Sequence, residues 1–456
     1  MTENNLDVDE EGLEPRRVDA VLEAVADGNA ARVAELLEPL HAADIADLLE
    51  QVSEDERNSL LALYSLEIDG EILSEISDSI REEVIEALPP NVVADAVRDL
   101  DTDDVVDILE DLEAPAQAVI LSALESADRA AVERALSYPE YSAGRLMQRE
   151  VVVAPVHWTV GEMIDHLRSA EWLPDQFYHV ILVDPRMKPV AYVTLGRLLS
   201  SRREIKLQDI VEDSFRTVEA TEPEADVAYL FNQYHLISCP VVDENDRLVG
   251  IITIDDAMNV LDEEHEEDVL RMAGVDEESS LSDTVLEAAK GRALWLFVNL
   301  LTAILASVVI SLFSASINKM VALAVLMPIV ASMGGNAGTQ SMTVAVRAIA
   351  TRDLTSQNAS RVIRREIAVG GLNGLIFGLT MAAVAAFWFQ VPLLSLVIGL
   401  AMILTLIAAA LGGIVIPMLL ERFNVDPALA SGPFVTTVTD VVGFFAFLGL
   451  ASWMLL

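Results

Sequence analysis

From Val21 to residue 137, apolar side chains recur three and four positions apart, as in VLEAVADGNAARVAELLEPL, and acids fill the other faces. That spacing predicts a series of short amphipathic helices. A weak repeat runs through them: LHAADIADLLEQVSEDE from Leu40 resembles LPPNVVADAVRDLDTDD from Leu88. Each copy reads as a helix, a turn and the start of another helix. Such units stack as a superhelix, because one pair cannot bury its own apolar face.

Between residues 150 and 262 the period changes. VVVAPV, HVILVD, PVAYVT, CPVVDE and LVGIITI read as short β-branched strands, with helices at VGEMIDHLRSA and DVAYLFNQYH. A clearer repeat sits here: VDPRMKPVAYVT (Val183–Thr194) aligns without a gap onto VDENDRLVGIIT (Val242–Thr253). Two β-α-β-β-α units in tandem are predicted to pair into one α/β module. The acidic stretch 263–291 shows no strand pattern and predicts helical turns, with a long connecting helix in its later part. Five apolar segments follow, near 293–313, 320–346, 367–389, 393–420 and 427–455. Each is long enough to cross a ~30 Å hydrocarbon layer at ~1.5 Å per residue.

Charge divides the chain at the same place. Residues 1–291 hold 68 acids and 21 bases, about −47; residues 292–456 hold five acids and eight bases, about +3. A module that negative repels nucleic acid and attracts cations. Adaptation to a saline habitat accounts for an excess of acid equally well, and only four lysines occur. The bases beside the apolar segments cluster at Arg292, at Arg347 to Arg365 and at Arg422, which predicts a cytoplasmic N-terminal module and an external C-terminus. The opening residues, MTENNLDVDEEGLEP, lack a basic and apolar leader, so no cleavable signal is expected. The single cysteine, Cys239, excludes an intramolecular disulfide. No P-loop, HExxH or nucleophile elbow occurs, so no enzyme is predicted.

Polar groups inside apolar segments are costly, and therefore informative. The second segment carries GGNAGTQSMT, in which Gly335, Asn336, Thr339 and Gln340 are candidates to line a pore. The fifth carries DPALASGPFVTTVTD, which puts Asp440 thirteen residues past Pro427, roughly 20 Å along a helix. Thr436 and Gly432 precede Asp440 by fours and share its face. Pro433 frees a carbonyl one turn earlier, which would add another oxygen. Carboxylate, hydroxyl and carbonyl ligands are hard, and suit Mg²⁺, Ca²⁺ or Mn²⁺. Mg²⁺ sheds water reluctantly, so one Asp per chain fits a hydrated ion held by two copies of Asp440 across a two-fold axis. A homodimer with the path at its interface is expected.

These residues resemble the MgtE family of bacterial magnesium channels over nearly the whole chain. The marks are SYPEYSAGRLM (Ser137–Met147), the tandem α/β repeat, EEHEEDVLRMAG (Glu263–Gly274), GGNAGTQS and DPALASGPFVTTVTD. The resemblance implies a multidomain chain in the plasma membrane: an acidic N-terminus without order (1–19), an α-helical superhelical N domain (20–140), two CBS domains (141–203 and 204–262), an acidic linker with a plug helix (263–291) and five transmembrane helices (292–456). It implies Mg²⁺ as cargo, with Co²⁺ or Mn²⁺ as alternatives, and Mg²⁺ at cytoplasmic interfaces holding a homodimeric channel closed. Asp440 falls on the pore aspartate, with Gly432 where relatives often carry Asn. Asp256, Glu264, Glu267 and Asp268 fall on acidic regulatory positions. Asp103, Asp107, Glu224 and Asp226 extend that set, while Ala225 and Asn259 depart from acids seen in relatives. CBS pairs also bind adenine nucleotides, and Thr253 with Asp256 keeps part of that pattern, so ATP is a candidate ligand at one site per chain. A CBS-regulated secondary transporter coupled to H⁺ or Na⁺, with Asp440 carrying the proton, is the rival reading.

Overall fold

The computed structural model describes residues 13, 15–98, 100–110, 112, 114–170, 172–174, 176–275, 285–423 and 425–455. They form two compact units, residues 1–264 and 265–456. The segment expected to lack order, 1–19, lies mostly outside the described residues, but Pro15 to Asp19 open the first helix.

The first unit begins with short helices: α1 (Pro15–Ala26), α2 (Ala30–Leu37), α3 (Ala42–Gln51), α4 (Glu54–Tyr64), α5 (Gly70–Ser74), α6 (Asp78–Ala87), α7 (Pro90–Ala96), α8 (Thr102–Glu110), α9 (Ala114–Ala123) and α10 (Ser126–Ala135). Helices α4, α6, α8 and α10 start every 24 residues, half the interval that the sequence repeat suggests. At equal positions in them stand Leu60, Val84, Ile108 and Val132, all buried. Buried arginines join successive units. Arg57 donates to Leu49 O at 2.8 Å and to Glu83 Oε2 at 2.7 Å. One unit on, Arg81 donates to Ile76 O at 3.0 Å and pairs with Asp107 at 2.9 Å. In α8 the place of that arginine is taken by Val105, so the acids beside it receive no arginine from their own helix.

Two three-stranded sheets follow. α11 (Ala143–Leu146) leads into β1 (Val153–Pro155), α12 (Val160–Ser169), β2 (His179–Val183), β3 (Pro189–Thr194) and α13 (Leu195–Ser200); then come β4 (Val218–Glu219), α14 (Glu224–Tyr234), β5 (Ser238–Val242), β6 (Leu248–Thr253) and α15 (Ile254–Ala273). Each sheet has a parallel and an antiparallel pair, with a bulge at Leu182/Val183 and at Val241/Val242. The hairpin turns match residue for residue. Asp184 accepts from the backbone of Arg186 and Lys188, as Asp243 does from Asn245 and Arg247, and Met187 and Asp246 both take positive φ. The strand pattern shows five of the six strands; β4, only two residues long, carries no periodic signal.

Packing does not follow chain order. Ala143 and Met147, which precede the first repeat, lie in the core of the second sheet, and Gln148 exchanges both backbone hydrogen bonds with Ile251 at 2.9 Å. A side chain at Gly144 would run into the Tyr138 ring, and would meet Ala220 O at 2.8 Å. Leu207 and Ile210, beyond the first repeat, lie in the core of the first sheet.

The second unit takes the end of α15 and six further helices: α16 (Val285–Leu312), α17 (Ser314–Lys319), α18 (Ala322–Ala350), α19 (Ala359–Phe389), α20 (Pro392–Arg422) and α21 (Pro427–Met454). Five have the length and apolarity of membrane spans, at Ala288–Leu312, Ala322–Ala350, Ala359–Phe389, Pro392–Arg422 and Gly432–Met454. α20 is the most enclosed of them and α16 the least. The expected connecting segment 263–291 holds the end of α15 and the start of α16; residues 276–284 lie outside the described set. Glycines set the helix separations. A side chain at Gly370 would meet Leu406 O at 2.7 Å, one at Gly374 Ile403 Cα at 2.9 Å, and one at Gly378 Gly399 O at 2.7 Å. Small residues one turn apart thus let α19 lie directly on α20.

Candidate metal sites

α21 starts where the Asp426 side chain accepts from Ala428 N at 2.7 Å, with Pro427 in the first turn, where its missing N–H costs nothing. Pro433 lies within the helix. Thr437 Oγ1 donates to Pro433 O at 2.6 Å and Thr439 Oγ1 to Thr436 O at 2.9 Å, so two carbonyls near the proline already have side-chain donors. Val435 and Thr439 are buried against α18, where a side chain at Gly338 would meet Val435 at 2.7 Å and Thr439 at 3.1 Å. Burial of that face leaves the other one open. Gly432 and Asp440 are partly exposed and Thr436 is exposed, and Asp440 makes no hydrogen bond or ion pair among the described residues. Among the described residues the carboxylate is therefore neither sealed nor neutralised.

Three polar candidates on α18, Asn336, Thr339 and Gln340, lie on one side of the helix. Asn336 and Thr339 are exposed, and with Ser332 and Thr343 they form one polar stripe at helical spacing. Gly335 has no atom within 4 Å of the position a side chain would take. Gln340, at the edge of that stripe, also lines a cavity beside Ser341 and Glu366. Glu366, buried in α19, went unnoticed in the sequence because bases surround it there.

The first unit gathers acids. Asp103 is 9% exposed, and burial, then the charges of Asp256 and Asp104, hold its carboxyl well above the usual range. Burial and Asp256 push Asp104 to about 7. Asp256 rises to about 6, chiefly by burial, although Thr253 Oγ1 donates to it at 2.6 Å. A neighbouring patch raises Glu224 to about 7, through burial and then Glu263, Glu110 and Glu264. Asp103, Asp104, Asp107 and Asp256 feel one another's charge, as Glu224 feels Glu110, Glu263 and Glu264, but among the described residues no three of them stand close enough to hold a metal ion. Asp226 stands with Glu224 in the first turn of α14. Asp107 is raised by burial against the lowering effect of Arg81, and Glu110 by burial against that of Arg145. Arg81 faces Asp107 and Arg145 faces Glu110, while the carboxylates of Asp103, Asp104 and Asp256 are hard oxygens of the kind Mg²⁺ takes.

In the second unit the end of α15 meets the start of α21. Arg271 lies 2.8 Å from Glu267 and 3.0 Å from Asp426. Asp268 is raised by burial and by Asp426, against the lowering effect of Arg271. Met272 packs with Ala428, Val435, Met342, Val346 and Ile416, and its carbonyl lies 3.8 Å from where a Gly432 side chain would point. The end of α15 thus touches α21 beside the open stripe.

Three family models match: the divalent cation transporter model of MgtE over residues 327–450, the MgtE intracellular N domain over 40–141 and the CBS domain over 207–263. The magnesium transporter MgtE of Thermus thermophilus is 34% identical over 329 residues, 71% of this chain and 72% of the relative. That of Bacillus subtilis is 31% identical over 317 residues, 70% of each. The chain belongs to the MgtE family of magnesium transporters. It is thus a multi-pass membrane protein with a superhelical N domain, a CBS pair and a five-helix membrane domain. Among solved structures, the cytosolic domain of the Mg²⁺ channel MgtE in complex with ATP is 29% identical, with a TM-score of 0.49 over 53% of this chain and 99% of that one.

Proposed function

We propose that this MgtE-family transporter passes hydrated Mg²⁺ along the stripe Gly432–Thr436–Asp440, and that Mg²⁺ on the cytoplasmic acids closes the path. The observation that carries the reading is Asp440: an intramembrane carboxylate on a partly open face, without a partner among the described residues. A charge so placed is retained at a cost and marks an ion route. Two copies of the stripe facing each other in a homodimer would hold the ion through its water shell, which a single carboxylate cannot do. The polar stripe of α18, with Asn336 and Thr339, would line the same route.

The acids on α8, α14 and α15 repel when ionised, and a divalent ion among them removes that repulsion and favours the compact state. Asp103, Asp104, Asp256 and Glu224 would hold such ions, with Glu264 nearby; Glu267 and Asp268 would act at the junction with α21. Mg²⁺ biases the gate only by its difference in affinity between open and closed states. In this scheme the N-terminal module faces the cytoplasm and the C-terminus lies outside, as the clustered bases require. ATP is a candidate second effector at Thr253–Asp256; calorimetry showing no heat with ATP, with and without Mg²⁺, would remove it.

The test is flux of Mg²⁺, Mn²⁺ and Co²⁺ into liposomes by wild type and Asp440→Ala, at low and high Mg²⁺ on the cytoplasmic face. Wild-type flux falls as that Mg²⁺ rises, and the variant conducts little at either level. Flux that follows an imposed proton gradient rather than the metal's own gradient would favour the secondary transporter instead.

A further inference from the structure

A cavity of about 220 Å³ opens between α18, α19 and α20, lined by Gln340, Ser341, Arg365, Glu366 and Asn373 among others. None of these side chains belongs to the open stripe of α21. Glu366 is 8% exposed and accepts from Ser341 Oγ at 3.2 Å. It has no ion-pair partner among the described residues, and neither has Arg365. A carboxylate and a guanidinium thus stand unpaired in one cavity, next to each other in sequence. The cavity is built into the helix packing. α19 is held on α20 at Gly370, and α20 on α18 at Gly413, where a side chain would meet Gly338 O at 2.7 Å. Val344 and Val369, which are exposed apolar residues, flank the cavity.

Depth narrows the choice of ligand. α19 has 31 residues, about 46 Å at ~1.5 Å per residue, close to the ~40–45 Å of a bilayer with its headgroups. Glu366 lies seven residues past Ala359, about 10 Å in, where headgroups give way to acyl chains. A buried carboxylate at that depth needs a cation, since amides and a hydroxyl do not neutralise it. A metal ion would find oxygens at Glu366, Ser341, Gln340 and Asn373 but would leave Arg365 facing a second positive charge. A zwitterion satisfies both. We propose that this cavity holds the headgroup of an aminophospholipid, its ammonium at Glu366 and Ser341 and its phosphate at Arg365. A choline headgroup fits less well, because it has no N–H to donate.

Native mass spectrometry of the full-length protein, offered phosphatidylethanolamine, phosphatidylcholine or phosphatidylglycerol, tests this. The wild type retains phosphatidylethanolamine about tenfold better than phosphatidylcholine, and Glu366→Gln and Arg365→Gln each cut that retention about tenfold, the scale of a charge-assisted hydrogen bond. Retention of phosphatidylglycerol by Glu366→Gln stays at the wild-type level. Equal retention of the ethanolamine and choline lipids by wild type would overturn the proposal, and that comparison needs no variant to fold. So would unchanged ethanolamine-lipid retention in both variants. A Glu366-dependent Mg²⁺ adduct in lipid-free detergent would replace the lipid by a cation.

Discussion

Arg271 Nη1 lies 3.0 Å from Asp426 Oδ2, and the same guanidinium reaches Glu267 at 2.8 Å. One side chain thus ties the last turns of α15 to the residue that caps α21. The chain supplies its own cation at a junction that otherwise gathers Glu267, Asp268 and Asp426.

Arg271→Ala leaves those three carboxylates to repel one another, so more Mg²⁺ is needed to hold the junction. In patch-clamp recordings the Mg²⁺ level that halves the current rises by about threefold, the scale of a partly exposed ion pair, and Arg271→Lys recovers part of the shift. An unchanged or lowered level would show that Arg271 does not bear on closure.

The acids of the first unit give a pH dependence with a definite sign. Asp104 and Glu224 are raised to about 7 and Asp256 to about 6, above their unfolded values, so the folded state binds more protons. Without Mg²⁺, the stability they contribute is complete below about pH 4 and is lost as pH rises through 6 and 7. The melting temperature of the full-length protein in EDTA falls by a few degrees over that range, and millimolar Mg²⁺ restores it at pH 8. Asp104→Asn flattens the EDTA curve and weakens the Mg²⁺ rescue. A curve that rises with pH in EDTA would contradict the cluster's electrostatics.

Arg57→Ala removes the guanidinium that joins Leu49 O and Glu83. A buried carbonyl then loses its charged donor, at a cost of about 2–3 kcal/mol. Limited proteolysis cuts the first helices at lower denaturant than in wild type, while Arg129→Ala, whose partner Glu133 is half-exposed, changes little. Equal protection of both variants would argue that the arginine series does not carry the superhelix.

Glycines of the membrane domain divide by what surrounds them. Gly370→Ala drives a methyl group into Leu406 O, 2.7 Å away, whereas Gly335→Ala meets nothing within 4 Å. The first costs about 1–3 kcal/mol through displaced helices; the second is neutral or mildly stabilising, since Ala favours the helix. Thermal aggregation of the two variants in detergent ranks them, and a reversed order would refute the packing of α19 on α20.

Hydrophobic spacing alone placed the five spans, the tandem α/β repeat and the helical N-terminal region. Those features arise from local periodicity, and the chain carries its period wherever it folds. The face shared by Gly432, Thr436 and Asp440 is likewise local, because four residues make roughly one helical turn. What spacing missed depends on neighbours far along the chain. The 24-residue repeat is held by Arg57 to Glu83 and Arg81 to Asp107, pairs too distant in sequence to read as a motif. Met147 serves the second sheet and Leu207 the first, against their order in the chain. Asp104 gains its place among the acids only when α15 brings Asp256 beside it, and Gln340 gains its cavity only once α19 brings Glu366 alongside. Periodicity is a property of one segment, while burial and the pairing of charges belong to segments in contact, and only the tertiary structure decides which those are.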